Sequence, residues 1–256
     1  MKIGIMGCGS IAKTLVDFKL NGKLNVNLAY FYDLSLDNAK SLAQKVDAQV
    51  SDSLENLIEN CDLILESASQ TAVRSSVPQI LESGTNVIIM SVGALLDVEF
   101  KTYLENIAKK SGAKIYLPTG AITGIDTVKA ARMGEIESVS LITRKPPLSL
   151  GLEMEDDEEI VLFDGKASEA VKEFPKNINV SSTLSLAAGM DADVKIIADP
   201  KITRNTHEIH LKGTFGEFIT KTSNISSPDN PKTSLLAAYS AASLLNKLSE
   251  TIQIGT

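Results

Sequence analysis

The chain opens with Lys2-Ile3-Gly4-Ile5-Met6-Gly7-Cys8-Gly9-Ser10-Ile11-Ala12. The apolar residues as far as Met6 predict a short buried strand, and the apolar spacing from Ile11 to Val16 predicts a helix. A strand, a tight glycine-containing turn and a helix thus follow one another without a gap. This succession is the context in which a glycine-rich phosphate-binding turn occurs, and it places the first domain in the α/β class.

The turn itself carries the pattern Gly7-x-Gly9-x-x-Ala12. Gly7 permits a sharp turn, Gly9 lets the backbone approach a pyrophosphate closely, and Ala12 lets the helix pack against the strand. The phosphates would meet the N–H groups and the positive dipole end of the helix that begins near Ser10. The pattern therefore predicts dinucleotide contacts from Gly7, Gly9, Ser10, Ile11 and Ala12.

An acidic residue ends the next predicted strand, as a dinucleotide-binding domain requires. The strand Asn27–Tyr32 is followed by Asp33, 24 residues after Gly9. A carboxylate near this spacing binds the adenosine ribose hydroxyls and repels the 2′-phosphate of NADP, so the predicted cofactor is NAD. Lys40 or another base would still admit NADP. The alternative is a glycine turn in an α/β domain that binds no cofactor.

Strands and helices alternate up to about residue 118, which predicts a Rossmann-type parallel sheet covered on both faces. Ligands bind at the carboxyl ends of such strands. Small and polar residues occupy those ends, among them Ser67 and Ala68 after the strand Asp62–Glu66. We therefore predict a dinucleotide-binding domain over residues 1–118, with Ser67 and Ala68 at the cofactor.

The pattern changes after Pro118 and predicts a second, α+β domain over residues 119–231 with a mixed or antiparallel sheet. Its predicted strands are Ile136–Lys145, Glu159–Phe163, Val194–Ala198, Thr206–Leu211 and Phe215–Thr222. Asp164-Gly165 predicts a turn after the second of these strands, and Gly213 predicts a hairpin between the last two. A helix predicted over residues 232–249 is expected to pack back on the first domain.

Composition limits the class of protein and its partners. The 256 residues are 43% hydrophobic and 22% charged, as in ordinary globular proteins, and the net charge is −7. The negative charge argues against nucleic-acid binding, and no apolar run is long enough to span a membrane. A start without a signal peptide and only two cysteines favour the cytoplasm. The acidic run Glu153–Glu159 is expected to be solvated and not to bind metal.

Proton transfer near neutral pH points to the two histidines, His207 and His210. They are three residues apart on a predicted strand, so their side chains face opposite sides and only one can serve a given site. Either histidine could equally be an ordinary strand residue.

A dicarboxylate substrate would need cationic partners, because buried carboxylates must be paired. The cations close to the histidines in sequence, each of which could also be an ordinary surface charge, are Arg144, Lys145, Arg204 and Lys232. The polar side chains that could orient a substrate or the nicotinamide are Thr119, Asn179 and Asn205.

Six segments then occur in one order along the chain: Pro118–Asp126, Thr143–Pro147, Phe174–Val180, Ala198–Pro200, Thr203–Ile209 and Asn230–Ser234. Together they resemble the L-aspartate dehydrogenase family, nearly from end to end. That family oxidises L-aspartate to iminoaspartate with NAD or NADP, and its product can feed quinolinate synthesis and so NAD biosynthesis. The resemblance implies this reaction, or its reverse, the reductive amination of oxaloacetate. It also implies a homodimer and a functional hand-off to quinolinate synthase.

Carried over motif by motif, the resemblance implies that His207 is the catalytic histidine and that Ala121 and Asn179 contact the cofactor. The loop around Ala121 departs from the family pattern, because Thr119 stands where the family has serine and keeps the hydroxyl, and Thr123 stands where the family has glycine. The alternatives are a related two-domain dehydrogenase, such as homoserine dehydrogenase, and a non-catalytic NAD-binding sensor. Dihydrodipicolinate reductase shares the general plan, but its paired-histidine motif with a following lysine is absent.

Overall fold

The structure, a computed structural model, describes residues 1–154, 157–174 and 178–255, without the side chains of residues 231 and 232. The chain divides into two units. The first comprises Met1–Pro118 and Ala238–Gln253, and the second comprises Thr119–Ala237 and the residues from Ile254 onward.

The first unit contains a six-stranded sheet. Its strands are β1 (Lys2–Met6), β2 (Asn27–Tyr32), β3 (Gln49–Val50), β4 (Leu63–Glu66), β5 (Asn86–Ile89) and β6 (Ile115–Tyr116). All pairs are parallel and the order is β3-β2-β1-β4-β5-β6. Every residue of β4 is buried, as expected for a strand covered on both faces. The predicted Rossmann-type parallel sheet is confirmed.

Five helices alternate with these strands: α1 (Ser10–Leu20), α2 (Leu36–Ala43), α3 (Leu54–Asn60), α4 (Gln70–Glu82) and α5 (Val98–Ser111). Ser53, Ser69 and Asp97 cap α3, α4 and α5, because their side chains accept hydrogen bonds of 3.1 Å from backbone N–H groups of the first turn. Gly112 ends α5 with a φ of +82°, a conformation that favours glycine.

The second unit contains a five-stranded sheet. Its strands are β7 (Ile136–Lys145), β8 (Ile160–Lys166), β9 (Asp193–Ala198), β10 (Asn205–Gly213) and β11 (Gly216–Asn224). The order is β11-β10-β7-β9-β8, and the β7–β9 pair is parallel whereas the other pairs are antiparallel. The predicted mixed sheet is confirmed, and Gly213 pairs with Gly216 at the end of the predicted hairpin.

The helices of this unit include α6 (Ile125–Ala131), α7 (Pro147–Leu150), α8 (Ala167–Glu173) and α9 (Asn179–Ala188). Of these, α6 and α9 pack on one face of the sheet. Leu141 of β7 and Ile209 and Leu211 of β10 join residues of α6 and α9 in one hydrophobic core. The apolar part of this face is therefore filled by packed side chains. Residues that react with a ligand are expected at the polar end of the same face.

The predicted turn at Asp164-Gly165 was wrong, because β8 continues through both residues to Lys166. Asp164 pairs with Lys195 across the β8–β9 ladder, and their side chains form an ion pair of 2.8 Å. Lys166 pairs in the same way with Asp193. These cross-strand pairs hold an extended backbone where the local dipeptide favours a turn.

The predicted start of the last helix was also wrong. Residues 230–234 form β13 (Asn230–Ser234), which pairs with β12 (Ser226–Ser227), and the helix α10 is Leu235–Lys247. From Ala238 onward α10 belongs to the first unit. There Asn246 accepts a hydrogen bond from Asn25 N at 2.9 Å and donates one to Lys23 O at 3.0 Å.

The helices are short. The longest described helix, α5, has 14 residues, and no helix of the described residues is long and apolar enough to cross a membrane.

Candidate functional site

Gly7 is the sharp point of the turn after β1. Its φ is +95°, and its N–H donates to the carbonyl oxygen of Tyr32 at 2.8 Å. A Cβ at this position would lie 2.7 Å from the backbone nitrogen of Ala68. Both the conformation and the lack of space therefore demand glycine here.

Gly9 differs from Gly7, because the space beside it is open. A Cβ built on Gly9 meets no described heavy atom within 4 Å, and α1 begins at the next residue, Ser10. Ala12 is fully buried and lets α1 lie close to the sheet. The open backbone at the start of α1 fits a pyrophosphate, since N–H groups and the helix dipole both favour an anion there.

Asp33 fixes the glycine turn to the end of β2. One of its carboxylate oxygens accepts from Cys8 N at 2.6 Å, and the other accepts from Ser35 N at 2.7 Å. Each carboxylate oxygen has more than one lone pair, so Asp33 can hold the turn and still bind ribose hydroxyls. Ser67 lies on the other side of the turn, where its hydroxyl donates to Gly7 O at 2.8 Å.

Glu66 is a structural feature of this site that the sequence analysis missed. It is 0% exposed and ends β4. Its carboxylate accepts four hydrogen bonds, from the backbone N–H groups of Ala68, Ser69 and Ser91 and from the Ser91 hydroxyl. Burial raises the pKa of Glu66, and these hydrogen bonds oppose that rise. The available signal was a charged residue at the end of an otherwise apolar strand.

In the second unit, His207 lies in the interior of the mixed sheet. It is 3% exposed, and its Nδ1 lies 3.0 Å from the hydroxyl oxygen of Thr143. The two residues are direct neighbours in the β7–β10 ladder. Thr143 is the partner that the sequence analysis missed, because its 64-residue separation from His207 gives no local signal.

Six side chains form a polar patch at one end of the sheet face that carries His207. The patch consists of Thr143 and Lys145 on β7, Asn205 and His207 on β10, and Thr222 and Asn224 on β11. Residues two apart on a strand share a face, and directly paired residues do so too. His207 pairs with Thr143 and Thr222, and Asn205 pairs with Asn224. The six residues therefore share one face.

The patch reaches Ala121, one of the two residues that the resemblance assigns to the cofactor. The Ala121 carbonyl oxygen accepts from the Asn224 amide at 2.9 Å and from the Thr222 hydroxyl at 3.3 Å. The other assigned residue, Asn179, is the first residue of α9 and is half-buried. The strand that carries His207 is thus linked through its neighbour β11 to the loop that carries Ala121.

Burial sets the protonation states in the polar patch. Burial and then the positive charge of Lys145 lower the pKa of His207 to about 3, so its imidazole is neutral at neutral pH. Burial lowers the pKa of Lys145 to about 8, so most of the ammonium stays protonated at neutral pH. A neutral imidazole beside a buried cation can take a proton from a substrate that also carries negative charge.

Other candidate residues from the sequence lie elsewhere. Arg144 points to the opposite face of β7 from Lys145, and it forms ion pairs with Glu159 and Asp199. Arg204 and Thr119 are exposed. His210 is on the other face of β10, where its Nε2 lies 2.7 Å from the Glu208 carboxylate. The Lys232 side chain, and residues 175–177 of the third resembling segment, lie outside the described residues.

A Rossmann-type NAD-binding domain, followed by a domain whose mixed sheet holds a buried neutral histidine, defines the class of two-domain NAD-dependent oxidoreductases. Two family models together match most of the chain: "Homoserine dehydrogenase, NAD binding domain" over residues 7–118, and "Aspartate dehydrogenase, C-terminal" over residues 126–248. The chain belongs to the L-aspartate dehydrogenase family.

Individual relatives agree along the full length of the chain. The L-aspartate dehydrogenase of Methanothermobacter thermautotrophicus is 52% identical over 256 residues, covering 100% of this chain and 99% of the relative. That of Methanosarcina mazei is 46% identical and covers 100% of both chains. The crystal structure of aspartate dehydrogenase from Thermotoga maritima matches with a TM-score of 0.83 at 31% identity, covering 100% of this chain and 99% of that one.

Proposed function

We propose that the protein catalyses the NAD-dependent oxidation of L-aspartate to iminoaspartate, and in reverse the reductive amination of oxaloacetate. The observation that carries this proposal is His207, a buried neutral imidazole beside the buried cation Lys145. The full-length relatives named L-aspartate dehydrogenase support the choice of substrate.

The first unit binds the dinucleotide. Gly7 and Gly9 form the turn, the start of α1 at Ser10, Ile11 and Ala12 receives the pyrophosphate, and Asp33 binds the adenosine ribose. Ser67 and Ala68 border the turn, and the resemblance adds Ala121 and Asn179. The Asp33 carboxylate repels a 2′-phosphate, so NAD is preferred to NADP, although the exposed Lys40 leaves NADP possible.

Held at Gly7, Gly9 and Asp33, NAD would supply the acceptor for the hydride that leaves Cα of L-aspartate. His207 removes a proton from the substrate amine, because only a neutral amine can release a hydride from the adjacent carbon. Lys145 pairs with a substrate carboxylate. That carboxylate offsets the charge of Lys145, and so raises the pKa of His207 from its low value towards the range useful for proton transfer. In the reductive direction the protonated His207 returns the proton to nitrogen.

Two alternatives differ from this proposal in what they predict. The first alternative is homoserine dehydrogenase, whose NAD-binding domain resembles residues 7–118, although residues 126–248 match the aspartate dehydrogenase family. A non-catalytic sensor would bind NADH without turnover. The acidic net charge of −7 does not favour a DNA-binding regulator.

A steady-state assay of NADH absorbance separates these functions. Oxaloacetate with ammonia and NADH should give turnover, as should L-aspartate with NAD⁺, whereas homoserine should give none. Replacing His207 with alanine should lower turnover by about 10²–10⁴-fold and leave NADH binding nearly unchanged. Turnover with homoserine alone, or NADH binding without any turnover, would contradict the proposal.

The family resemblance also suggests the oligomeric state, the cellular location and the pathway of the enzyme. We infer a homodimer whose second domain, residues 119–231, serves both substrate binding and dimerisation. We also infer a cytoplasmic enzyme whose iminoaspartate passes to quinolinate synthase in pyridine nucleotide biosynthesis. Size-exclusion chromatography with light scattering tests the dimer, and a coupled assay with quinolinate synthase tests the hand-off.

A further inference from the structure

Asn205 is a buried amide that has no hydrogen-bond partner among the residues that the structure describes. The residue is 1% exposed, and within the described residues neither its Oδ1 nor its Nδ2 meets a donor or an acceptor. Buried side-chain amides are paired in the large majority of proteins, because an unpaired one has lost its water without compensation. The amide of Asn205 therefore lowers the stability of the fold, and a function in binding a ligand would explain why it is there.

The neighbouring strand shows that the fold can satisfy an amide at this place. Asn224 lies directly opposite Asn205 in the β10–β11 ladder and is also buried. Its Nδ2 donates to Ala121 O at 2.9 Å. One of two adjacent amides is thus held by the protein, and the other is available to a ligand.

Asn205 is also placed with the groups that carry the chemistry. It precedes His207 by two residues and so shares its face of β10. Thr206 pairs with Arg144, and continuing that ladder by one residue puts Asn205 opposite Lys145. An amide, an imidazole and an ammonium group therefore lie within the polar patch, on the same face of the sheet and in neighbouring rows of the ladder.

The needs of this amide define what it can bind. Its oxygen accepts and its nitrogen donates, so the complementary ligand offers an N–H group and an oxygen acceptor close together. We propose that Asn205 is a substrate-binding residue whose Oδ1 accepts a hydrogen bond from the α-amine of the amino acid and whose Nδ2 donates one to the α-carboxylate. The proposal rests on the proposed aspartate dehydrogenase function and deepens it.

The carboxamide of nicotinamide offers the same pair of groups and is the rival occupant. Lys145 favours the amino acid, because a buried ammonium attracts a carboxylate and repels the positively charged ring of NAD⁺. The amine held by Asn205 would also lie next to His207, the group that removes its proton.

The variant Asn205→Leu tests the proposal, since leucine fills a similar volume without polar atoms. The KM for L-aspartate should rise by about 10- to 100-fold, the effect of hydrogen bonds to charged groups. The Ki for succinate, which has carboxylates and no amine, should rise less. The Kd of NADH, measured from its own fluorescence, should stay within about twofold of wild type. The Tm without ligand should equal or exceed that of wild type, because an unpaired amide has been removed.

Asn224→Leu is the matched control for stability. It removes another buried amide, directly opposite on the adjacent strand, but this amide binds the Ala121 carbonyl oxygen, so the Tm of the variant should fall. Asn205→Ala is a second variant with no bulk to accommodate, and it should show the same rise in the KM for L-aspartate.

An unchanged KM for L-aspartate in both Asn205 variants would overturn the proposal. Weakened NADH binding with an unchanged KM would overturn it too, and would assign the amide to the nicotinamide carboxamide. A fall in Tm for Asn205→Leu as large as that for Asn224→Leu would make Asn205 a structural residue. These outcomes are distinct from failure of the proposed function, in which wild-type protein itself would not oxidise L-aspartate.

Discussion

The hydroxyl oxygen of Thr143 lies 3.0 Å from Nδ1 of His207, across the ladder that joins β7 to β10. Both residues are buried, so this contact fixes the orientation of the ring within the sheet. It also leaves Nε2 as the ring nitrogen that can exchange a proton with a substrate. Thr143 is therefore a positioning residue, which acts on the reaction through His207.

Replacing Thr143 with valine should lower kcat by about tenfold, because valine has the same shape but cannot hold the ring through a hydrogen bond. Thr143→Ser retains the hydroxyl and should keep most of the wild-type kcat. The KM for NAD⁺ should not change in either variant. Steady-state kinetics over a range of pH would measure these effects. Equal kcat values for wild type and Thr143→Val would show that Thr143 does not position His207 for the reaction.

His207 should make the fold sensitive to acid. Its pKa is lowered to about 3 in the folded protein, against an ordinary value of 6.5 in the unfolded chain. Well above pH 6.5 neither state binds the proton. As the pH falls below 6.5, His207 becomes protonated in the unfolded chain but stays neutral in the folded protein. The free energy of unfolding therefore decreases by up to about 1.4 kcal/mol per pH unit.

The variant His207→Gln has no group that titrates at this position, so its free energy of unfolding should fall less steeply between about pH 6.5 and pH 4. Urea unfolding followed by circular dichroism at several pH values measures the difference from wild type. Two parallel curves would mean that the folded protein accommodates a charged His207.

Replacing the two glycines of the first turn with alanine should affect different properties, stability for Gly7 and cofactor binding for Gly9. Gly7→Ala forces a side chain into a backbone with φ of +95° and against the Ala68 backbone, so the Tm should fall. The strain is worth about 1–3 kcal/mol. Gly9→Ala meets open space and should keep the wild-type Tm, but it should weaken NADH binding by about tenfold or more, because its Cβ occupies the place where a pyrophosphate approaches.

Thermal unfolding and NADH fluorescence titrations of the two variants give this comparison directly. Wild-type NADH affinity in Gly9→Ala would show that the pyrophosphate does not lie at the start of α1.

Lys145 should make the binding of dicarboxylates depend on pH. Burial lowers its pKa to about 8, so the ammonium loses its charge as the pH rises through that value. The Kd of succinate, measured by calorimetry with NADH present, should therefore rise above about pH 8 in wild type. In Lys145→Met it should be higher at neutral pH and should not change with pH over the same range. Equal succinate affinity in the two proteins would exclude Lys145 from the carboxylate site.

Most of the fold could be predicted from the sequence, because its signals are local. The buried strands of the first unit are apolar runs, and Gly7, Asp33 and Gly112 mark turns and ends by their own conformational preferences. The exceptions involve pairing between distant segments. Asp164-Gly165 is a turn dipeptide by local preference, and only its cross-strand partners keep it extended. In the same way, residues 230–234 pair with β12 as a strand, so α10 begins only at Leu235.

The candidate site was less accessible to sequence reasoning, since its geometry depends on register. Arg144 and Lys145 are adjacent and equally cationic, yet alternation puts them on opposite faces of β7, and only the ladder with β10 tells which face carries His207. Thr143 and the unpartnered amide of Asn205 are visible only after that register is known. The roles of the site residues stay predictions until the variants are measured.

Hydride transfer from L-aspartate can be followed through the hydrogen on Cα of the substrate. L-Aspartate deuterated at Cα would be incubated with NAD⁺ and wild-type protein, and the reduced cofactor analysed by mass spectrometry and NMR. We expect deuterium at C4 of the reduced nicotinamide, and no reduction when homoserine replaces L-aspartate. Reduced cofactor without deuterium, or no reduction with L-aspartate, would contradict the claim that this protein removes a hydride from L-aspartate.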